Sequence, residues 1–69
     1  MTSLRDLTSD ATLGPRETLA DGTEVATLTS MTDGSISWVR IRIMRGRYGP
    51  VHVPIAIGQT RESVIAAVQ

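Results

Sequence analysis

From Val39 to Ile43 every second residue is apolar, and the alternation defines a strand with two unlike faces. Val39, Ile41 and Ile43 share one side, while Trp38, Arg40 and Arg42 share the other. A Thr-rich run, residues 23–32, precedes this strand and has the β-branched character of a second one. Between the two lies Thr32-Asp33-Gly34-Ser35, whose Asp-Gly pair is a strong hairpin signal because tight hairpin turns need positive φ. With Asp33-Gly34 as a two-residue loop, Leu28 falls opposite Val39 and Ala26 opposite Ile41. The same register sets Thr29 beside Trp38, Thr27 beside Arg40 and Val25 beside Arg42. Apolar residues then meet apolar residues, which a one-residue slip would undo.

Downstream, residues 45–50 (Arg-Gly-Arg-Tyr-Gly-Pro) read as a loop, and Val51, Val53, Ile55 and Ile57 alternate with His52, Pro54 and Ala56 as a third strand. Pro54 has no N–H to give a ladder, so that strand belongs at a sheet edge. Gly58 ends it, and Thr60 caps a helix over residues 61–69 with Glu62 in its first turn and Val64, Ile65 and Val68 on its apolar side. Upstream, residues 1–21 are polar and interrupted by Gly14-Pro15. Ser3 and Pro15 suit the starts of short helical turns, but the apolar residues are too few for a separate core. The pattern therefore predicts an α+β fold: a small three-stranded antiparallel sheet in order 1-2-3, its Val/Ile face covered by a short C-terminal helix. An extended N-terminal arm (1–21) precedes this sheet-plus-helix domain (22–69).

The chain has 69 residues, so its core is thin and a partner's surface is a natural supplement. It contains no Cys, Lys, Asn or Phe. Without Cys there is no disulfide, and with His52 as its one imidazole a structural zinc site is not expected. The missing residue types fit the codon bias of a GC-rich genome, such as that of an actinobacterium or one of its phages. Net charge is zero, but residues 1–34 hold two arginines against six acids and residues 35–69 five arginines against one acid. Such a polar subunit is suited to docking on copies of itself or on another protein. The apolar runs are short and interrupted, and the N-terminus lacks a signal-peptide stretch. A cytoplasmic or virion-associated protein with no membrane span is expected.

Candidate chemistry is sparse. No nucleophile has an oriented base, the acids sit where turns and caps want them, and Gly46 and Gly49 lie between strands rather than before a helix. A non-enzyme without cofactor or metal is expected. The one notable constellation is Trp38, Arg40, Arg42, Arg45, Arg47 and Tyr48. Tryptophan, tyrosine and arginine are enriched at interface hot spots, and arginine also contacts phosphates and guanine edges. Thr29, Met31, Ile36 and Trp38 add an apolar patch at one end of that face, and the Thr-rich strand leaves an open edge for a neighbour's strand.

Three antiparallel strands followed by one covering helix, over residues 23–69, resemble the DNA-reading sheet of plant ethylene-response-factor and integrase arm-binding domains. That resemblance rests on element order and implies nucleic-acid contact through the arginine-bearing face. The leading expectation is a protein-interaction or assembly module, such as a small accessory subunit of a phage virion, docking through the outer sheet face and the arm. Sheet-mediated DNA binding, as in a small phage or host regulator, is the alternative.

Overall fold

A computed structural model describes residues 8–66; the expected turn at Ser3 and the end of the helix, including Val68, lie outside them. Among the described residues there are five antiparallel strands and one helix: β1 (Ala11–Leu13), β2 (Glu17–Thr18), β3 (Glu24–Ser30), β4 (Ile36–Gly46), β5 (Gly49–Gly58) and α1 (Arg61–Ala66). The sheet runs β1-β3-β4-β5, with β2 also on the outer side of β3, and it curls into a half-barrel. The expected small antiparallel sheet with a C-terminal helix is present. Its strand count differs, because residues 11–18 join the sheet as β1 and β2 rather than lying outside it. Gly14 permits this: its N–H donates to Thr27 O (2.8 Å), and a Cβ there would collide with Thr27 Oγ1.

The β3–β4 hairpin forms, with a register two residues away from the one a two-residue turn predicts. Ala26 faces Val39, Leu28 faces Ser37 and Val25 faces Arg40. Four residues, Met31 to Gly34, make the loop. Gly34 at φ 75° donates its N–H to Ser30 O (3.0 Å), and Ser35 N–H donates to Asp33 Oδ1 (2.9 Å). A shift of two leaves every side chain on its original face, so the core is the expected one. Ala26, Leu28, Val39 and Ile41 are buried together on one face of the sheet, with Ala11 and Leu13 of β1 packed against them.

The helix, by contrast, lies on the other face. Residues 45–50 are not a loop: β4 and β5 continue to a tight turn at Arg47-Tyr48, closed by Gly46 opposite Gly49. Near the middle of β5 the pairing shifts between Arg40 and Ile41, leaving Ile55 as an extra residue. Val51 and Val53 consequently share the face of Met44 and Arg42, while Ile57 lies opposite Val39. The expected single Val/Ile stripe along β5 is therefore split by the bulge. This other face carries Val25, Arg40 and Ala56, and α1 covers it through the fully buried Val64. Thr60 caps α1 as expected, accepting from Ser63 N–H (3.1 Å) while Ser63 Oγ donates to Thr60 O (2.8 Å). No helix among the described residues is long and apolar enough to cross a membrane.

Candidate functional site

The six residues singled out by sequence divide into two environments. Arg40 is only 7% exposed and lies beneath α1. Its Nε donates to Thr23 Oγ1 (3.0 Å), its Nη1 to Val64 O (3.4 Å) and Ile65 O (3.1 Å), and its Nη2 to Asp21 Oδ2 (2.6 Å). Thr23 Oγ1 in turn donates to Asp21 Oδ1 (2.6 Å), which closes a ring of bonds. Carbonyl oxygens in the later turns of a helix carry partial negative charge, so a guanidinium beside those of Val64 and Ile65 is well placed. Arg40 is thus a structural tie that holds β4, the Asp21 turn and α1 together. It is not an outward contact residue. Trp38, two residues away on the same face, is half-buried.

Hydrogen bonds from Thr23, first its hydroxyl and then its N–H, hold the Asp21 carboxyl below its ordinary range, and the Arg40 charge adds to this. On the same side of the molecule Arg61 grips Glu17 through Nε (3.0 Å) and Nη2 (2.6 Å). That grip lowers the Glu17 carboxyl and raises the Arg61 guanidinium. Across the other face, Arg16 Nη1 bridges Glu24 Oε1 (3.2 Å) and His52 Nδ1 (2.7 Å). Several cations that look free in sequence are therefore committed to holding the short N-terminal strands onto the sheet. His52 is one of their partners, and no group of three His, Asp or Glu side chains among the described residues is placed to hold a metal.

Arg42, Arg45, Arg47 and Tyr48 belong together. Pairing of β3 with β4 stops at Glu24 opposite Ile41, yet β4 and β5 remain paired to Gly46 and Gly49. Five more residues of β4 extend past the third strand, a projection of about 17 Å at ~3.4 Å per residue. The chain measures 36 Å along its longest axis. On this two-stranded ribbon Arg42, Arg45 and Arg47 are exposed and form no ion pair among the described residues. Tyr48 at the tip is 96% exposed. Ile43, Met44 and Val51 are also exposed, and an open groove lies along Ile43, Met44, Arg45, Gly49 and Pro50.

Those flanking apolar residues were not recognisable as surface from periodicity. Ile43 continues the core stripe of β4 beyond the end of the core, and the length of β3 decides where that happens. Met31 and Ile36 are exposed, as the apolar-patch reading expects, but they sit at the far end of β4, next to Asp33. The Ser35 N–H bond is the leading cause of a lowered Asp33 carboxyl. The expected open edge of the Thr-rich strand is occupied by β1 and β2. No protein-family model matches this chain, and no curated protein or solved structure matches it.

Proposed function

We propose that this protein is a non-enzymatic interaction and assembly module that docks on another protein through its projecting β4–β5 hairpin. One observation carries the reading: the hairpin combines exposed Ile43, Met44, Tyr48 and Val51 with three arginines that have no anionic partner among the described residues. Aromatic and arginine side chains beside apolar contact area are the composition of interface hot spots. A rigid base supports this use, since the Arg40 ring and the two short N-terminal strands brace the sheet from which the hairpin emerges. An accessory subunit of a larger particle, such as a phage virion, is the setting that the small size and polar charge distribution favour. The outer-face docking expected at Trp38 and Arg40 moves outward to Arg42, Arg45, Arg47 and Tyr48.

The test is capture from nuclease-treated extract of the source organism, comparing the parent chain with a variant carrying Arg42→Ala, Arg45→Ala and Tyr48→Ala. A protein retained by the parent and lost by the variant is expected. Identical captured sets, or capture through a variant that lacks the hairpin side chains, would overturn the proposal. DNA binding keeps one specific support: a two-stranded ribbon bearing three arginines has the width a major groove admits. In that reading affinity for duplex DNA falls steeply with salt, and Arg42→Ala with Arg45→Ala flattens the slope.

A further inference from the structure

The hairpin has two backbone edges, and they are not alike. Gly46 and Gly49 close a two-residue turn, so their pair must be one that exchanges hydrogen bonds. Counting back from it, Met44–Val51 and Arg42–Val53 are also bonded pairs, and Arg45–Pro50, Ile43–His52 and Ile41–Pro54 are not. The main-chain groups of Pro50, His52 and Pro54 therefore point away from β4, along the outer edge of β5. Two of those three positions are prolines, which have no N–H to offer a further strand. On the other edge, Ile43 and Arg45 point their N–H and C=O groups towards where β3 would lie had it not ended at Glu24. Neither residue has a further backbone or side-chain hydrogen bond on that side among the described residues. One edge is guarded and the other is open.

We infer that the edge of β4 at Ile43–Arg45 is a strand-acceptor site for an extended acidic segment of a partner protein. This rests on the docking role of the hairpin given above and specifies its chemistry. In an antiparallel addition, the incoming residue opposite Ile43 is followed by one opposite Arg42 and preceded by ones opposite Met44 and Arg45. Directly opposed side chains share a face. The partner segment therefore reads acid-apolar-apolar-acid, its carboxylates on Arg45 and Arg42 and its apolar pair on Met44 and Ile43. Main-chain bonds supply the attachment, and the four side chains supply the register.

A second copy of the same chain is a poor occupant. Pairing two β4 edges about a two-fold axis brings six arginines together with no anion in residues 42–52. The chain's one pair of acids three residues apart is Asp21 and Glu24, with Gly22-Thr23 between them. Both carboxylates are already held, by Arg40 and by Arg16.

The test titrates the ¹⁵N-labelled full chain at low salt with capped peptides containing Glu-Val-Val-Glu or Lys-Val-Val-Lys between threonines. The glutamate peptide is expected to bind tighter by on the order of tenfold, protecting the Ile43 and Arg45 amides from exchange. Arg42→Glu with Arg45→Glu is expected to invert the preference. Ile43→Pro, which removes one outward N–H and no charge, is expected to weaken the glutamate peptide about fivefold or more. Because proline also strains that position, the charge-inverted variant carries the test independently. Equal binding of the two peptides, or shifts confined to arginine side chains with the Ile43 and Arg45 amides unchanged, would overturn the inference. So would self-association through those amides in the absence of peptide. Such outcomes would leave the capture experiment, and the docking role it tests, standing or falling by itself.

Discussion

Two arginines on the same side of one strand, Arg40 and Arg42, make opposite demands on the fold. Replacing Arg40 by Ala removes four hydrogen bonds, two of them to the Val64 and Ile65 carbonyls of α1. Removing one member of a buried ion pair costs about 3–5 kcal/mol, mostly from the partner left behind. Here the stranded Asp21 is half-exposed and regains water, which places the loss towards the lower figure. The carbonyls of Val64 and Ile65 and the Thr23 hydroxyl regain less. A loss of about 3 kcal/mol follows for Arg40→Ala, whereas Arg42→Ala, at an exposed position, should stay within about 0.5 kcal/mol. A domain of this length holds roughly 3–10 kcal/mol in total, so the first change removes a large share of it.

Urea unfolding followed by Trp38 fluorescence and by far-ultraviolet circular dichroism measures both variants. Arg40→Lys provides a graded case, because an ammonium on one flexible stem cannot reach Thr23, Asp21 and the helix end together as the planar fork does. It should lose part of the stability, and the amides of residues 61–66 should exchange faster. So short a helix has little stability of its own, so loosening its tie to Arg40 is expected to register there first. Arg40→Ala matching the parent within about 0.5 kcal/mol, or Arg42→Ala matching Arg40→Ala, would refute the role of Arg40 as a structural tie.

Acid should destabilise the protein within a narrow window. Asp21, Asp33 and Glu17 have carboxyls lowered by hydrogen bonds from Thr23, Ser35 and Arg61, so their contribution is complete above the unfolded values of about 4 and is lost as pH falls through the lower folded values. The urea midpoint should be level from neutrality to about pH 4.5 and fall below about pH 4, with Asp21→Asn weakening that fall; an unchanged midpoint at pH 2.5 would contradict the assignment. Gly14→Ala should cost about 1–3 kcal/mol by thermal melting, since its new methyl meets Thr27 Oγ1. Adding Thr27→Ala should recover much of that loss, and no recovery would mean that the backbone, not the hydroxyl, sets the limit.

Sequence carried the fold as far as the two-residue period could carry it. Asp33-Gly34 located the hairpin. The loop took four residues because Ser30 O and the Asp33 carboxylate bind the N–H groups of Gly34 and Ser35, and the displaced register kept Ala26, Leu28, Val39 and Ile41 on one face. The strands β1 and β2 were not legible, since Ala11-Thr12-Leu13 and Glu17-Thr18 are too short to show a period. They owe their conformation to the edge of β3. The side that the helix covers is not legible from the pattern, because Arg40 marks that face as solvated. One signal pointed the other way: that face also holds Val25, an apolar residue with no role in the outer-surface reading. Charge alone misleads when a guanidinium finds three kinds of acceptor at once.

The same stretch of chain explains both the Arg40 tie and the open edge. After β2, Leu19 N–H donates to Thr23 O (2.7 Å) and Gly22 N–H to Leu19 O (3.0 Å), with Gly22 at φ 89°. This turn swings Asp21 and Thr23 onto the Arg40 guanidinium, and in doing so it prevents β3 from extending N-terminally past Glu24. Had residues 21–23 continued as strand, Thr23 would lie opposite Arg42 and Gly22 opposite Ile43, and the main-chain groups of Ile43 would be satisfied within the sheet. Arg40 would then lose Asp21, whose bond to Nη2 is its shortest. Anchoring the helix and exposing the β4 edge are thus two results of one backbone choice. A hairpin that projects from this sheet with one unguarded edge follows from the way its base is held.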